Sequence, residues 1–378
     1  MSPRPLSASA TLPLLRPYMP ELDIARGIAI VLVLLYHGVA PPRYATLSPA
    51  GQLFFRLSQH GWVGVNLFFV LSGFLITGIL IDSNHRTDYF RHFYIRRALR
   101  ILPALVVTLL LLRAVGWISW SFFGIAALFL ANCVSLFGIA LQYPPLWSLA
   151  VEEHFYLIWP GMLRRFSPRT LAIPLLLIAI LTPVARSWGF ALSGHKSDYV
   201  PLYTWFNLDG LALGALMAIW LRQTSFRRTH LKRLGWLMLV AGSTGFALAA
   251  AHRGAAIALS ATAANIASGG LLGCMLLLGT SRWSWLVARP ALKFMGYISY
   301  GVYLIHVFAF RVAELVLSNL SWISPIHPEI GMSLRLITGV TIAIALAYIS
   351  RITLEEKFLR MGHRAGAVSA VRVSVAQP

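Results

Sequence analysis

The chain has 378 residues, of which 58% are hydrophobic and 12% charged, and its mean hydropathy is +0.71. A soluble protein of this length needs more charge to cover its surface, so a soluble fold is excluded. The net charge of +20 would suit nucleic-acid binding, but most basic residues stand in short segments between apolar runs, where membrane topology accounts for them. The two cysteines, Cys133 and Cys274, are far apart and predict neither a disulfide framework nor a metal site. We therefore expect an integral membrane protein with no nucleic-acid partner.

Apolar runs of about twenty residues recur along the chain, each long enough to cross a hydrocarbon core of ~30 Å as a helix. They predict an all-α, polytopic membrane protein with about ten transmembrane helices. Residues 1–20 are expected to form a cytoplasmic N-terminal segment, 21–356 the transmembrane domain and 357–378 a cytoplasmic tail. The predicted spans are 21–40, 61–81, 99–117, 145–163, 171–190, 203–221, 234–251, 256–279, 294–317 and 333–354.

One further apolar stretch, 119–138, is ambiguous, and the charges of the loops decide how it is interpreted. Basic clusters stand before the third span, from Arg86 to Arg100, and after the fourth, from Arg164 to Arg169, so both should face the cytoplasm. That requires 119–138 not to complete a crossing; it would lie in the interface, re-enter, or pack as half a helix. The same rule places both termini in the cytoplasm, in a multi-pass protein of the cell (inner) membrane.

The first span carries two candidate functional residues, because charged side chains inside a span cost a few kcal/mol unless paired or hydrated. Arg26 and His37 are eleven positions apart, which places them on nearly the same stripe of a helix, about 16 Å apart along its axis. A histidine works as a general base near neutral pH. An interfacial arginine and a histidine bonded to a neighbouring helix would give the same pattern.

The fourth span opens with two adjacent carboxylates, Glu152 and Glu153. Ser148 and Glu152 are four positions apart and share a helical face, and a carboxylate there would orient or balance the charge of a histidine. The dipole at a helix N-terminus accounts for Glu153 without any function, and for Glu152 less well.

A basic cluster precedes the third span. Arg96, Arg97 and Arg100 are spaced so that one helical turn gathers three guanidinium groups. Arginine forks suit phosphate oxygens, but basic residues beside a span also set topology or bind anionic lipid headgroups.

Isolated polar residues in other spans are further candidates. Asn66 and Ser72 lie in the second span and are of the kind that bonds across helices. Asp209 in the sixth span and His306 in the ninth are titratable groups that need partners, and the sequence does not identify these partners.

Five motifs, in order along most of the chain, together resemble the acyltransferase 3 family of membrane acyltransferases. Their order and spacing carry the resemblance, since no single motif suffices. His154 stands where glutamine is common, and residues 355–357 depart from the family's usual ending. The motifs are Asp23 with Arg26-x10-His37, Gly61-Trp62-Val63-Gly64 with Phe68 to Ile76, Arg96-Arg97-x-x-Arg100-Ile101-x-Pro103, Trp147-Ser148-Leu149-x-x-Glu152, and Gly296 to Gly301 with Tyr303 to His306.

The resemblance implies a ten-helix core and an acyl-CoA, usually acetyl-CoA, as co-substrate, with no permanently bound cofactor. It implies a hydroxyl group of a surface or extracellular glycan, or of a lipid-linked saccharide, as the acceptor. By the same resemblance His37 is the catalytic base, Arg26 its partner in the motif and Glu152 a functional carboxylate, while the three arginines before the third span contact the CoA phosphates. Asp23, Asn66, Ser72, Ser148 and His306 are additional candidates.

The expected mechanism runs along the first helix. The donor would extend its pantetheine arm from Arg26 towards His37, which either deprotonates the acceptor hydroxyl or takes the acyl group itself. Glu152 is expected to meet His37 from the acceptor side and stabilise its protonated form. Two other functions stay open: a transporter that uses buried titratable residues and needs no CoA, and a scaffold in which His37 is freely replaceable.

Overall fold

The structure is a computed structural model, and it describes residues 14–16, 18–39, 47–193, 200–223, 227–251, 256–281, 284–287, 289–319 and 327–362. Most of the predicted N-terminal segment 1–20 and of the predicted tail 357–378 lies outside these ranges. The described residues form α-helices, short 3-10 helices and one π-helical turn at Arg351–Glu355, with no strand among them. The twelve α-helices are α1 (Pro20–Gly38), α2 (Pro49–Ser58), α3 (Val63–Asp82), α4 (Tyr89–Ala114), α5 (Trp120–Ala127), α6 (Leu146–Arg165), α7 (Pro168–Leu192), α8 (Leu208–Trp220), α9 (Arg228–Ala251), α10 (Ala256–Gly279), α11 (Pro290–Ser318) and α12 (Pro328–Ser350).

Each of the ten predicted spans coincides with a helix, namely α1, α3, α4 and α6 to α12. In the described part of the chain, six helical segments are long and apolar enough to cross a membrane. The all-α, multi-pass class is confirmed, whereas ten crossings stay a prediction. The long helices outside these six are α1, α4 and α6, and they carry the charged candidate residues, which lower their hydropathy. The six are Pro49–Asp82, Pro168–Leu192, Arg228–Ala251, Leu259–Gly279, Pro290–Ser318 and Pro328–Gly362.

The ambiguous stretch 119–138 does not form one long helix. It consists of α5 and a 3-10 helix at Ala131–Phe137. The eight residues of α5 rise about 12 Å, far less than the ~30 Å of a hydrocarbon core. Ser119 caps the start of α5 by accepting a hydrogen bond from the Phe122 amide at 3.1 Å. Neither piece is long enough to cross, in agreement with the charges of the loops.

Helix α3 lies at the centre of the bundle and packs against α1, α6, α8 and α10. In the most apolar 18-residue stretch of the segment that contains α3, 67% is buried inside the bundle. In the corresponding stretch of α9 only 11% is buried, so α9 presents most of its surface outward. Close crossings hold the central helices. A β-carbon on Gly214 would lie 2.0 Å from the Val70 carbonyl oxygen, and one on Gly296 would lie 1.8 Å from that of Asp23. Only glycine permits such approaches, which press α8 against α3 and α11 against α1.

Candidate active site

A cavity of ≈ 100 Å³ lies between α1, α3, α4, α6 and α11, and we call it the arginine cavity. The ionisable side chains on its wall, apart from tyrosines, are Arg26, Arg97, Arg100 and Glu152. Three guanidinium groups against one carboxylate give the wall an excess of positive charge. Such a wall suits a ligand that carries several negative charges, above all phosphate groups.

Tyr156 organises the charged groups at the centre of this wall. Its hydroxyl group donates a hydrogen bond to Glu152 Oε2 at 2.7 Å, and the Arg97 guanidinium lies over its ring, 3.8 Å from the centroid. Arg97 Nε is also 3.9 Å from Glu153 Oε1. By contrast, no carboxylate among the described residues lies within 4.0 Å of the Arg100 guanidinium. Arg100 therefore has the positive charge that is most available to a ligand.

A second, larger cavity of ≈ 920 Å³ lies at the end of the bundle where α1 ends and where α3, α6 and α8 begin. His37 is on its wall, with Asn66 of α3 and Asn207 before α8, and we call it the histidine cavity. His37 Nδ1 lies 3.0 Å from the Val33 carbonyl oxygen. Because a carbonyl only accepts, Nδ1 carries the proton of the neutral ring and Nε2 keeps its free lone pair. His37 is thus in the tautomer that a general base needs.

The partner that the sequence left open for His306 is His37. The two imidazole rings are 4.7 Å apart between centroids, and His306 is completely buried behind His37, on the wall of neither cavity. His306 Nδ1 lies 2.8 Å from the Tyr303 carbonyl oxygen, and its Nε2 has no hydrogen-bond partner among the described residues. Both rings therefore hold their protons on Nδ1 and leave Nε2 unprotonated.

Arg335 of α12 holds the end of α1. It donates hydrogen bonds from Nη1 to the carbonyl oxygens of Gly38, at 2.6 Å, and of His37, at 3.3 Å. A cation at the C-terminal end of a helix also interacts favourably with the helix dipole. Arg335 was not among the predicted site residues, although the rule that selected Arg26, a charge inside a span, applies to it equally.

The structure does not bring Glu152 and His37 together. Glu152 lines the arginine cavity and is bonded to Tyr156, whereas His37 lines the histidine cavity beside His306. The expectation that this carboxylate meets His37 and stabilises its protonated form is therefore wrong. Helices α1 and α6 direct these two side chains into different cavities. The spacing of residues within each helix does not show how the two helices are placed against each other.

The basic cluster is also divided. Arg97 and Arg100 line the arginine cavity, but Arg96 does not; its guanidinium lies on the exposed side of α4, with Nη1 3.3 Å from His92 Nε2. The expectation that all three arginines share one site is wrong for Arg96. Adjacent residues of a helix point about 100° apart, and here Arg97 points into the arginine cavity while Arg96 points away from it.

Three of the remaining candidates line one of the two cavities, and Asp23 contacts a residue that does. Ser72 and Ser148 line the arginine cavity, and Asp23 lies 3.5 Å from Arg26 Nη1. Asn66 lines the histidine cavity and donates to Asn265 Oδ1 at 2.8 Å.

Three tyrosines line the arginine cavity, Tyr156, Tyr300 and Tyr303, and none of them was among the predicted site residues. Their spacing was a usable signal. Tyr156 follows Glu152 by four positions and Tyr303 precedes His306 by three, so each of these two shares a helical face with a candidate residue.

Comparison with known proteins gives the following similarities. The acyltransferase-domain model of the acyltransferase 3 family matches residues 19–352. The chain is 34% identical over 170 residues to the peptidoglycan O-acetyltransferase OatA of Listeria monocytogenes, covering 40% of this chain and 25% of that protein. It is 29% identical over 327 residues to the putative peptidoglycan O-acetyltransferase YrhL of Bacillus subtilis, covering 76% and 48%. The chain thus spans less than half the length of these relatives, and no solved structure matches it.

Proposed function

The chain belongs to the acyltransferase 3 family, and we propose that it transfers an acyl group from acyl-CoA to a hydroxyl group of a glycan at the cell membrane. Because the relatives are named as peptidoglycan O-acetyltransferases, the proposed acyl group is acetyl and the proposed acceptor is peptidoglycan or its lipid-linked precursor. Both termini are proposed to lie in the cytoplasm. Family membership favours an enzyme over the transporter and the scaffold considered above.

The observation that carries the proposal is the pair of cavities along α1. The arginine cavity suits the phosphates of CoA, and the histidine cavity offers a neutral imidazole with a free Nε2 to an acceptor. Arg26 and His37 stand eleven positions apart on one helix, about 16 Å along its axis, so a donor held by its phosphates reaches towards the base with its pantetheine arm. CoA acts here as a substrate, and the proposal requires no resident cofactor.

The proposed reaction begins when the acceptor hydroxyl group gives its proton to His37 Nε2. The hydroxyl oxygen forms a bond to the thioester carbonyl carbon, and the carbon–sulfur bond breaks, with its electron pair leaving on the CoA thiolate. The guanidinium groups balance the negative charge of the CoA phosphates and so hold the donor in place during the reaction. Transient acylation of His37 uses the same free nitrogen, and trapping an acylated enzyme without acceptor distinguishes this route from direct transfer.

The test of this function uses the purified chain in lipid nanodiscs. Acetyl-CoA labelled in its acetyl group and a lipid-linked peptidoglycan precursor are supplied together, and we expect labelled ester on the glycan with release of an equal amount of CoA thiol. A well-folded protein that releases no thiol, but moves the saccharide across the bilayer of a liposome, would overturn the enzyme in favour of the transporter.

The donor site has a matched pair of arginines with which to test it. Replacing Arg100 with alanine should raise the KM for acetyl-CoA by about 10-fold or more, because charge-assisted hydrogen bonds to phosphate contribute roughly 1.5–3 kcal/mol. Arg96→Ala is the control, since Arg96 lies on the same helix but outside the cavity, and its KM should stay near wild type.

Acetyl-pantetheine, which lacks the adenosine phosphates, provides the second control. Initial rates with this donor should be insensitive to Arg100→Ala if the lost contact is to those phosphates. An unchanged KM for acetyl-CoA in a well-folded Arg100→Ala protein would contradict the donor site and leave the cluster with the role of setting topology.

A further inference from the structure

Two side chains stand at the boundary of the two cavities, because Val65 of α3 and Tyr303 of α11 line both of them. The Tyr303 hydroxyl group is hydrogen-bonded to the Ser148 hydroxyl group on α6. Its ring lies edge-on to Phe68 of α3, with 5.8 Å between centroids. Tyr303 therefore bridges from α11 to both α6 and α3 at the point where the cavities meet.

This boundary matters because a thioester reacts with water as well as with a glycan hydroxyl group. In hydrolysis, the oxygen of water bonds to the carbonyl carbon and the carbon–sulfur bond breaks, which yields a carboxylic acid and the CoA thiol. The histidine cavity, at ≈ 920 Å³, has room for many water molecules, and its base would activate water as readily as a hydroxyl group. Enzymes suppress such side reactions by excluding water from the reactive group.

We infer that Tyr303, held by Ser148, is the partition that keeps water in the histidine cavity away from a thioester bound in the arginine cavity. It thereby determines whether the acyl group goes to the acceptor or to water. This inference rests on the proposed acyl transfer. Tyr303 and Val65 stand between the cavities, so a change of the Tyr303 χ1 rotamer opens the passage beside Val65. An acceptor that fills the histidine cavity has by then displaced the water.

The experiment compares two rates in the same preparation of each variant: release of CoA thiol without acceptor, and transfer of acetyl to acceptor. In Tyr303→Ala the ratio of hydrolysis to transfer should rise by about 10-fold or more. Tyr300→Ala is the matched control, because Tyr300 lines only the arginine cavity and its loss enlarges that cavity without opening it to the other. Its ratio should stay near that of wild type.

Two milder variants test the hydrogen bond itself. Tyr303→Phe and Ser148→Ala each remove it and keep the aromatic ring, so each should raise the ratio by less than Tyr303→Ala does. The double variant should resemble either single one, since both lose the same bond. These two variants also decide the matter if Tyr303→Ala does not fold.

The outcomes separate the inference from the function on which it rests. Wild-type protein that neither transfers acetyl nor releases thiol overturns the proposed function. Wild-type transfer with equal ratios in the Tyr303 and Tyr300 variants overturns the partition alone, as does an unchanged ratio in both Tyr303→Phe and Ser148→Ala. Loss of both rates in Tyr303→Phe, with donor binding retained, assigns the hydroxyl group to the chemistry and also overturns the partition.

Discussion

Replacing His37 with alanine is expected to lower kcat for acetyl transfer by on the order of 10²-fold or more, the usual contribution of a general base. The KM for acetyl-CoA should stay close to that of wild type, because His37 lies in the histidine cavity and the donor is expected to bind in the arginine cavity. A fall in kcat without a change in donor KM indicates an interaction made in the transition state.

Two further histidine variants sharpen this test. His37→Gln places an amide near the position of Nε2, which accepts a hydrogen bond but does not take the proton, so its rate should also be low. His85→Ala removes an exposed histidine of the loop before α4 and should transfer acetyl at the wild-type rate. A folded His37→Ala protein with near wild-type transfer would contradict the mechanism and point to His306 or to transport.

The positions of the helices were predictable because an apolar run of about twenty residues in a membrane protein forms a helix that crosses the bilayer. Ten predicted spans meet ten helices, and the stretch 119–138 was resolved by charge alone. The helix α2 (Pro49–Ser58) was not predicted, since ten residues of mixed polarity leave no long apolar run. The number of crossings depends on where lipid meets each helix, which apolar runs alone do not define.

The site was predictable residue by residue but not in its arrangement. His37, Glu152 and the arginines could be selected because they are polar residues in apolar helices. Burying such a residue in a membrane is energetically unfavourable unless it is paired or hydrated, so it is a functional candidate. Which of them meet depends on helix crossings, such as the glycine contact that presses α11 against α1 and brings His306 to His37. The sequence of one helix shows which of its residues share a face. The residues that this face contacts belong to another helix, and the spacing within the first helix does not identify them.

Asp209 illustrates the same limit, since its role depends on Arg186, a charged residue that the sequence analysis overlooked. Arg186 Nη2 donates to Asp209 Oδ1 at 2.7 Å, and the two side chains are only 2% and 3% exposed. Thr262 donates to the other carboxylate oxygen at 2.7 Å, and Arg186 Nε donates to the Phe206 carbonyl at 2.7 Å. The network is bonded within itself and lies on the wall of neither cavity.

We therefore expect Asp209→Ala to act on stability and not on chemistry. It leaves the Arg186 guanidinium buried without its counter-charge, and breaking a buried ion pair in this way costs roughly 3–5 kcal/mol in the free energy of unfolding. Thermal unfolding in detergent measures the loss, while the fraction that remains folded should keep its KM for acetyl-CoA. The double variant Arg186→Leu with Asp209→Leu should be less destabilised than the sum of its single variants, because no lone charge remains.

An exposed ion pair of the same chemistry serves as the control for Asp209. Arg222 donates to both carboxylate oxygens of Asp82, at 2.8 and 2.6 Å, but the Asp82 side chain is 62% exposed. Water and salt screen such a pair, so Asp82→Ala should cost only about 0–1 kcal/mol. If Asp82→Ala and Asp209→Ala lower the free energy of unfolding by the same small amount, burial does not determine the contribution of the Arg186–Asp209 pair to stability. If Asp209→Ala abolishes transfer in a protein of wild-type stability, Asp209 belongs to the active site, and its network is catalytic in role.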